Sequence, residues 1–87
     1  MYKVAVSSTA IRDLRKLPTN DRKRILDRLD VLAADPLRAR PRADIHPLGG
    51  EKVGKYRIRI GAYRAVYAVV GDQVVILEVF HRGRGYR

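Results

Sequence analysis

Residues 56–67 read YRIRIGAYRAVY, and this stretch decides the fold. Apolar and basic residues alternate on both sides of Gly61-Ala62, a period of two that is typical of half-buried β-strands. A short break containing glycine between two such runs indicates a β-hairpin. With a two-residue loop, Arg59 lies directly opposite Arg64. The sequence therefore predicts two antiparallel strands with one apolar face and one face that bears arginines.

A third strand is predicted at Val74–His81, after the turn signal Gly71-Asp72-Gln73. If that turn is a three-residue loop, Phe80 lies opposite Arg64, and a slip of one residue would exchange the two faces. The face predicted to be the core comprises Tyr56, Ile58, Ile60, Tyr63, Ala65, Tyr67, Val69, Val75, Leu77 and Val79. The opposite face collects Arg57, Arg59, Arg64, Phe80 and Arg82.

The chain before this sheet predicts one more strand and a first helix. Residues 2–6 alternate between apolar and other side chains and indicate a strand. Ser8 or Thr9 is the expected N-cap of the helix that follows, whose apolar residues fall on one face. Pro18 ends this helix, because proline lacks a backbone donor and does not continue a helix.

Thr19 or Asn20 is the expected N-cap of a second, longer helix, which is predicted to end at Asp35-Pro36 because the residue before proline resists the α conformation. Residues 36–52 are rich in Pro, Arg and Gly and indicate a long connecting loop. The predicted fold is α+β with the order β-α-α-β-β-β. It is a largely antiparallel four-stranded sheet with a helical hairpin on one face, in a single domain spanning residues 1–87.

The composition limits the classes of function. Nineteen Lys and Arg against nine Asp and Glu give a formal net charge of +10, which favours binding to a nucleic acid, or to a partner bound to one, over a basic surface kept for solubility. The chain has no cysteine, and His46 and His81 lie far apart, so we expect no metal site and no cofactor. No apolar run resembles a signal or membrane segment, so we expect a cytoplasmic protein without membrane contact.

The arginine-bearing face is the candidate site. Like charges opposite one another on paired strands are destabilising, so the predicted pairing of Arg59 with Arg64 indicates a role in binding anions. Arginine suits phosphate because its planar group donates two parallel hydrogen bonds and stays charged. Phe80 among the arginines adds a ring that can stack on unpaired bases. The alternative is a solvated face of arginines that point apart.

Three stretches resemble a known family. Residues 56–67 are similar to the signature of the RelE/ParE toxin superfamily, and residues 81–86, HRGRGY, resemble the HR-x-x-x-Y tail of its RelE branch. Leu48-Gly49-Gly50 is similar to the family's L-x-G. The resemblance implies the toxin of a type II toxin–antitoxin system, with an acidic RelB-like antitoxin as its partner. It also implies cleavage of mRNA on the ribosome without a metal.

The resemblance also implies roles for single residues. Arg64 matches the family's phosphate-stabilising arginine, Arg82 the arginine near the C-terminus, and Tyr86 the terminal tyrosine. These residues would serve in-line attack of a ribose 2′-hydroxyl on the adjacent phosphorus, which gives a cyclic phosphate and a free 5′-hydroxyl. The residues expected to bind RNA phosphates or bases are Arg57, Arg59, Phe80 and Arg84.

The general base stays open between two residues. Some family members carry lysines where this chain has Arg57 and Arg59, and arginine does not release its proton at neutral pH. The candidates are therefore His81 and Tyr86. Strand alternation directs His81 away from the arginines unless the strand ends before it.

Two other functions remain possible from the sequence. One is a ParE-type inhibitor of DNA gyrase without nuclease activity, and the other is a basic RNA-binding module without catalysis. Outside the sheet, Arg38, Arg40 and Arg42 are either contacts to ribosomal RNA phosphates or solvated loop charges. His46 is expected to face solvent in the loop.

Overall fold

The computed structural model describes residues 1–50 and 54–83, which form one sheet with two helices against one of its faces. In chain order the elements are β1 (Lys3–Val6), α1 (Ser8–Arg15), α2 (Thr19–Leu29), a 3₁₀ helix (Asp30–Ala33), β2 (Asp44–Pro47), β3 (Lys55–Ile60), β4 (Tyr63–Val70) and β5 (Gln73–His81). The strands lie in the order β1-β5-β4-β3-β2. Only the β1–β5 pairing is parallel among them. The predicted α+β class and the largely antiparallel sheet are confirmed.

The sheet has five strands, so the prediction of four was wrong. The additional strand β2 lies within the predicted loop 36–52 and pairs antiparallel with β3 at the edge of the sheet. It has four residues, of which only Ile45 is buried, so it has too few apolar positions to show an alternation. It ends at Pro47, a residue that edge strands tolerate because it cannot donate to a ladder.

The first helix is capped one residue earlier than predicted. The N-cap is Ser7 and not Ser8 or Thr9, and its Oγ accepts a hydrogen bond from the Ala10 N–H at 3.1 Å. All three residues are chemically suitable caps, so residue type alone could not choose between them.

The second helix begins at Thr19, so neither Thr19 nor Asn20 is its N-cap as predicted, and it ends earlier than Asp35. Its α-helical part ends at Leu29, and a 3₁₀ helix continues to Ala33. No side-chain hydrogen bond caps its start, where Pro18 occupies the capping position. In the tighter turn at the end, some of the last carbonyl groups of the helix accept hydrogen bonds within the chain, as is common at helix termini.

The loop between β4 and β5 has two residues and not the predicted three. Val70 pairs with Gln73, which leaves Gly71-Asp72 as the turn, with Gly71 at a φ of +60°. A shorter loop changes which side chains of β5 face the helices. The buried residues are therefore Val74 and Ile76, and not the predicted Val75 and Leu77.

A β-bulge in β5 then compensates for the shorter loop. The pairing with β4 passes from Ile76 to Glu78 and skips Leu77, which is an extra residue in β5. An extra residue reverses the alternation beyond it. Phe80 consequently lies opposite Arg64, which confirms that part of the prediction although the loop length behind it was wrong.

The core lies between the helices and one face of the sheet. Ile58, Ile60 and Ala65 are at most 1% exposed, as the hairpin pattern predicted. Tyr56 and Val69, also predicted for this face, pack against the core while partly exposed. The other buried residues of this cluster are Ala10, Leu14, Ile25, Leu29, Leu32, Ala43, Ile45, Tyr63, Tyr67, Val74, Ile76 and Val79. No helix in the described part of the chain is long and apolar enough to span a membrane.

Candidate active site

The sheet face opposite the helices carries the predicted arginines. We call it the arginine face and define it by Arg57, Arg59, Arg64, Phe80 and Arg82. Arg59 pairs with Arg64 across β3 and β4, and Arg64 pairs with Phe80 across β4 and β5, so both predicted registers are confirmed. Directly opposite residues on paired strands share one face, which brings two guanidinium groups and one ring together on adjacent strands.

Arg64 is held at the turn between β3 and β4. Its Nη1 lies 3.2 Å from the carbonyl oxygen of Tyr63 and 3.4 Å from that of Gly61. Gly61 has a φ of +59°, a conformation that glycine adopts without steric cost, and this allows the tight turn. The turn therefore orients a cation in the middle strand of the five.

Strand β2 adds two residues to this face that the sequence reasoning missed. Asp44 pairs with Arg59, and His46 pairs with Arg57. The His46 Nε2 lies 2.8 Å from the Asp44 Oδ1, and the Arg59 Nε lies 4.0 Å from the Asp44 Oδ2. The polar-apolar-polar triplet Asp44-Ile45-His46 is too short to predict a strand, but in any strand it places the two polar side chains on one face.

His46 is accessible, as the sequence predicted, with 54% of its side chain exposed. The prediction that it lies in a loop was wrong, because it belongs to β2. A strand position with a carboxylate partner orients the imidazole, whereas a loop position would leave it free to turn.

His81 lies on the other side of the sheet. It pairs with Tyr63, and the two rings make an edge contact with centroids 5.4 Å apart. Its Nδ1 accepts a hydrogen bond from the Gly83 N–H at 3.2 Å. The structure therefore does not bring His81 together with Arg64, in agreement with the strand alternation.

The tail after β5 is described only at its start. The Arg82 N–H donates to the carbonyl oxygen of Ala62 at 2.8 Å, which continues the pairing past the end of the strand. Alternation from Phe80 places Arg82 on the arginine face. Arg84 and Tyr86 lie outside the described residues.

A cavity of about 230 Å³ lies beside α1 at the end of β5, and Phe80 of the arginine face contributes to its wall. Its walls include Asp13, Lys16, Tyr63 and His81, but not the arginines of β3 and β4.

Tyr63 donates a hydrogen bond to the Asp21 Oδ2 at 3.0 Å, and this bond raises the pKa of the tyrosine. The tyrosine is therefore committed to joining α2 to the sheet.

The loop arginines differ from one another. Arg40 donates to the carbonyl oxygens of Val31, Asp35 and Arg38 at 2.7–2.9 Å, so it holds the segment after α2 together. Arg38 lies 3.3 Å from the Asp35 carboxylate, whose pKa is lowered chiefly by a hydrogen bond from the Leu37 N–H. Arg40 therefore has a structural role.

Residues 1–50 and 54–83 contain no cluster of His, Cys, Asp and Glu suited to a metal ion.

Comparison with known proteins identifies the family. The family model described as the ParE toxin of the type II toxin–antitoxin system parDE matches residues 4–86. The chain is 39% identical to the toxin RelG of Mycobacterium tuberculosis, over 99% of this chain and 97% of RelG. The chain belongs to the RelE/ParE superfamily of type II toxins, on its RelE-like branch.

Solved structures of RelE-like proteins share the fold. The toxin–antitoxin complex RelBE2 of M. tuberculosis matches with a TM-score of 0.81 and 36% identity, over 93% of this chain and 98% of that one. The RelE–RelB complex of Pyrococcus horikoshii matches with a TM-score of 0.77 and 31% identity, over 97% and 98% of the two chains. The similarity to the superfamily thus extends over both helices and the strands that carry the arginine face. It assigns no role to any single side chain.

Proposed function

We propose that this chain is a toxin that cleaves mRNA on the ribosome without a metal. The observation that carries the proposal is the arginine face, on which Arg59 and Arg64 lie opposite one another with Phe80 beside them. Such an arrangement costs stability in the free protein and becomes favourable when an RNA backbone lies across it. The ring of Phe80 adds a surface on which an unpaired base stacks.

The proposed reaction is an in-line displacement at phosphorus. The 2′-oxygen of a ribose forms a bond to the adjacent phosphorus, and the bond from phosphorus to the 5′-oxygen of the next nucleotide breaks. Arg64 stabilises the negative charge that develops on the phosphorane oxygens, as preorganised donors do in other enzymes. Arg57, Arg59, Arg82 and Arg84 hold the flanking phosphates, and Tyr86 stacks on a base or takes part in proton transfer.

The proton of the 2′-hydroxyl must pass to a base, and we propose His46 for this step. It lies on the arginine face, whereas His81 lies on the opposite side. If its Nε2 donates to Asp44, its Nδ1 is left to accept a proton, which is the logic of a carboxylate-oriented histidine. The proton required by the leaving 5′-oxygen comes from Tyr86 or from water.

Histidine substitutions distinguish the candidate bases. We expect His46→Ala to lower the rate of single-turnover cleavage by ~10²–10⁴ and to change its pH dependence. His81→Ala is the matched comparison and is expected to retain most of the rate. The reverse result would transfer the role to His81, and equal, small losses would leave Tyr86 as the base.

We propose an acidic RelB-like antitoxin as the partner of the chain. The solved relatives from M. tuberculosis and P. horikoshii are complexes of this kind, and the formal charge of +10 attracts an acidic segment. Expression of the chain alone in the cytoplasm should stop the growth of the host cells, and co-expression of its antitoxin should restore growth. Unaffected growth at high soluble expression would contradict a toxic function.

The experiment that tests the function assays the purified chain in three ways: on mRNA bound to ribosomes, on free RNA, and for inhibition of DNA gyrase. We expect cleavage of mRNA bound to programmed ribosomes and little cleavage of free RNA, since alignment of the substrate by the ribosome is worth ~7–11 kcal/mol of barrier. Supercoiling by DNA gyrase should be unaffected. Inhibition of gyrase with intact message would instead support a ParE-type function. Binding to ribosomes with neither effect would support a non-catalytic RNA-binding module.

A further inference from the structure

The β-bulge at Leu77 decides which face of the sheet receives the end of β5. Before the bulge, Val74 and Ile76 face the core. A regular strand would continue this alternation and direct Phe80 and Arg82 toward the helices as well. The extra residue reverses the alternation, so Phe80 joins the arginine face instead, and the bond from the Arg82 N–H to Ala62 continues the same pairing by one residue.

Two side chains of the N-terminal half hold this bulge. The edge of β5 that bears it continues past the end of β1, where Ser7 and helix α1 follow. The Ser7 Oγ donates to the carbonyl oxygen of Leu77 at 3.0 Å. The Asp13 Oδ2 accepts a hydrogen bond from the Val79 N–H at 2.9 Å. One side chain thus bonds the backbone of the bulged residue itself and the other bonds the backbone two residues later, at an edge that β1 does not reach.

Helix α1 accounts for Ser7 as its N-cap, but it does not account for Asp13. The Ser7 hydroxyl caps the helix by accepting from Ala10, and the same oxygen donates to Leu77. Asp13 lies in the second half of the helix, where a negative charge opposes the helix dipole and aspartate is a poor helix former. Its bond to the strand gives this placement a structural reason.

We propose that Ser7 and Asp13 are positioning residues for the arginine face. By fixing the bulge, they place Phe80 and Arg82 beside Arg64 although neither of them touches the RNA. The effect on cleavage rests on the proposed nuclease function. The effect on the strand does not, so the two are tested separately.

The structural test uses nuclear magnetic resonance of the wild-type protein and of Asp13→Ala. In the wild type we expect a contact between the Phe80 ring and Arg64, and slow hydrogen exchange of the Val79 N–H. In Asp13→Ala both should weaken, while the far-ultraviolet circular dichroism stays the same. A wild-type Phe80 ring in contact with the core would overturn the proposal, whatever the variant does and whether or not the protein cleaves RNA.

The functional test measures single-turnover cleavage on saturating programmed ribosomes. We expect Asp13→Ala to lower the rate by roughly tenfold to a hundredfold, since small misplacements in an active site have effects of this size. Asp13→Asn keeps an oxygen that accepts from Val79, so it should cleave at close to the wild-type rate. The matched control is Asp27→Ala, which removes an exposed carboxylate from α2 and should leave the rate unchanged.

A positioning role for Asp13 is distinguished from a merely structural one by making the Asp13 substitution in two proteins, the wild type and a variant that lacks the side chains it is proposed to position. In a Phe80→Ala/Arg82→Ala protein, Asp13→Ala should cause little further loss, because the side chains that it positions are absent. A loss by the same factor in both backgrounds would overturn the proposal. So would Asp13→Asn cleaving as slowly as Asp13→Ala. If wild-type protein does not cleave at all, the nuclease function fails and the structural test still decides the role of the bulge.

Discussion

The two faces of the sheet are built from the same strands by opposite physical rules. On the helix side, Ile58, Ile60 and Ala65 are at most 1% exposed, and the Tyr67 hydroxyl donates to the carbonyl oxygen of Pro36 at 2.6 Å. On the arginine face, Arg59 is more than half exposed and lies opposite another cation. One face maximises burial and satisfied hydrogen bonds, and the other places arginines opposite one another, with the Asp44 carboxylate on the edge strand beside them.

The difference shows that residues for stability and residues for function lie on opposite faces of one sheet in this small protein. Successive residues of a strand point to opposite faces, so a core residue and a site residue are neighbours in the chain. Substitutions on the helix side should therefore lower the free energy of unfolding, and substitutions on the arginine face should lower cleavage. Each of the following predictions tests whether the two faces can be separated in this way.

Arg64→Ala should have the largest effect on cleavage and little effect on folding. Removing one preorganised charge donor typically lowers a rate by ~10²–10³. We expect ribosome binding to remain close to normal and the free energy of unfolding not to fall. The matched control is Arg15→Ala, which removes the same charge from an exposed position of α1. A variant that binds weakly but cleaves normally once bound would make Arg64 a docking residue.

Tyr86 tests whether the tail belongs to the arginine face. Tyr86→Phe keeps the stacking ring, worth ~1–3 kcal/mol per base, but removes the hydroxyl. We expect Tyr86→Ala to cleave more slowly than Tyr86→Phe, and Tyr86→Phe more slowly than the wild type, in single-turnover assays. Wild-type cleavage by Tyr86→Ala would remove the tail from the active site.

Tyr67→Phe should show the reverse pattern. It leaves the buried carbonyl of Pro36 without its donor, which destabilises a protein by about 1–3 kcal/mol. Urea denaturation should show this loss, while cleavage by the folded protein should stay at the wild-type rate. A large loss of cleavage at unchanged stability would mean that the two faces are not independent.

The same tyrosine gives a pH dependence with a defined sign. Burial raises the pKa of Tyr67 above its ordinary value of 10.0, because the ionised phenol is poorly solvated in the core. The contribution of the neutral phenol to stability is therefore present below pH 10 and is lost as the pH rises above it. The loss of stability above pH 10 should be smaller in Tyr67→Phe than in the wild type.

Arg59→Ala should have the smallest effect and an opposite sign on the two properties. Relief of the like-charge pair with Arg64 should raise the free energy of unfolding by roughly 0.2–1 kcal/mol, and cleavage should fall. High salt should reduce the gain, because exposed charges are screened. A loss of stability at low salt would show that the bond to Asp44 outweighs the repulsion.

The sequence was sufficient for the features that depend on local alternation. The hairpin with Arg59 opposite Arg64 and the α+β class followed from periodicity and a turn signal. These are short-range patterns, which the chain itself carries. The helix-side position of His81 was also predicted, although the loop length and the regular alternation assumed for β5 were both wrong and the two errors cancelled.

The rest depended on contacts between distant parts of the chain. Strand β2 has one buried residue and forms because the edge of β3 is available for pairing, so Asp44 and His46 were not assigned to the site. The bulge at Leu77 is held by Ser7 and Asp13, about 70 residues earlier in the chain. No pattern within β5 shows that such partners exist.

The central claim is that the arginine face promotes attack by a ribose 2′-hydroxyl on mRNA held by the ribosome. The most direct test uses ribosomes programmed with end-labelled message and toxin freed of metal by prior treatment with EDTA. We predict products with a cyclic phosphate and a 5′-hydroxyl, and no cleavage when the nucleotide before the scissile bond lacks its 2′-hydroxyl. Cleavage of that 2′-deoxy message, or products with a free 3′-hydroxyl, would contradict the account.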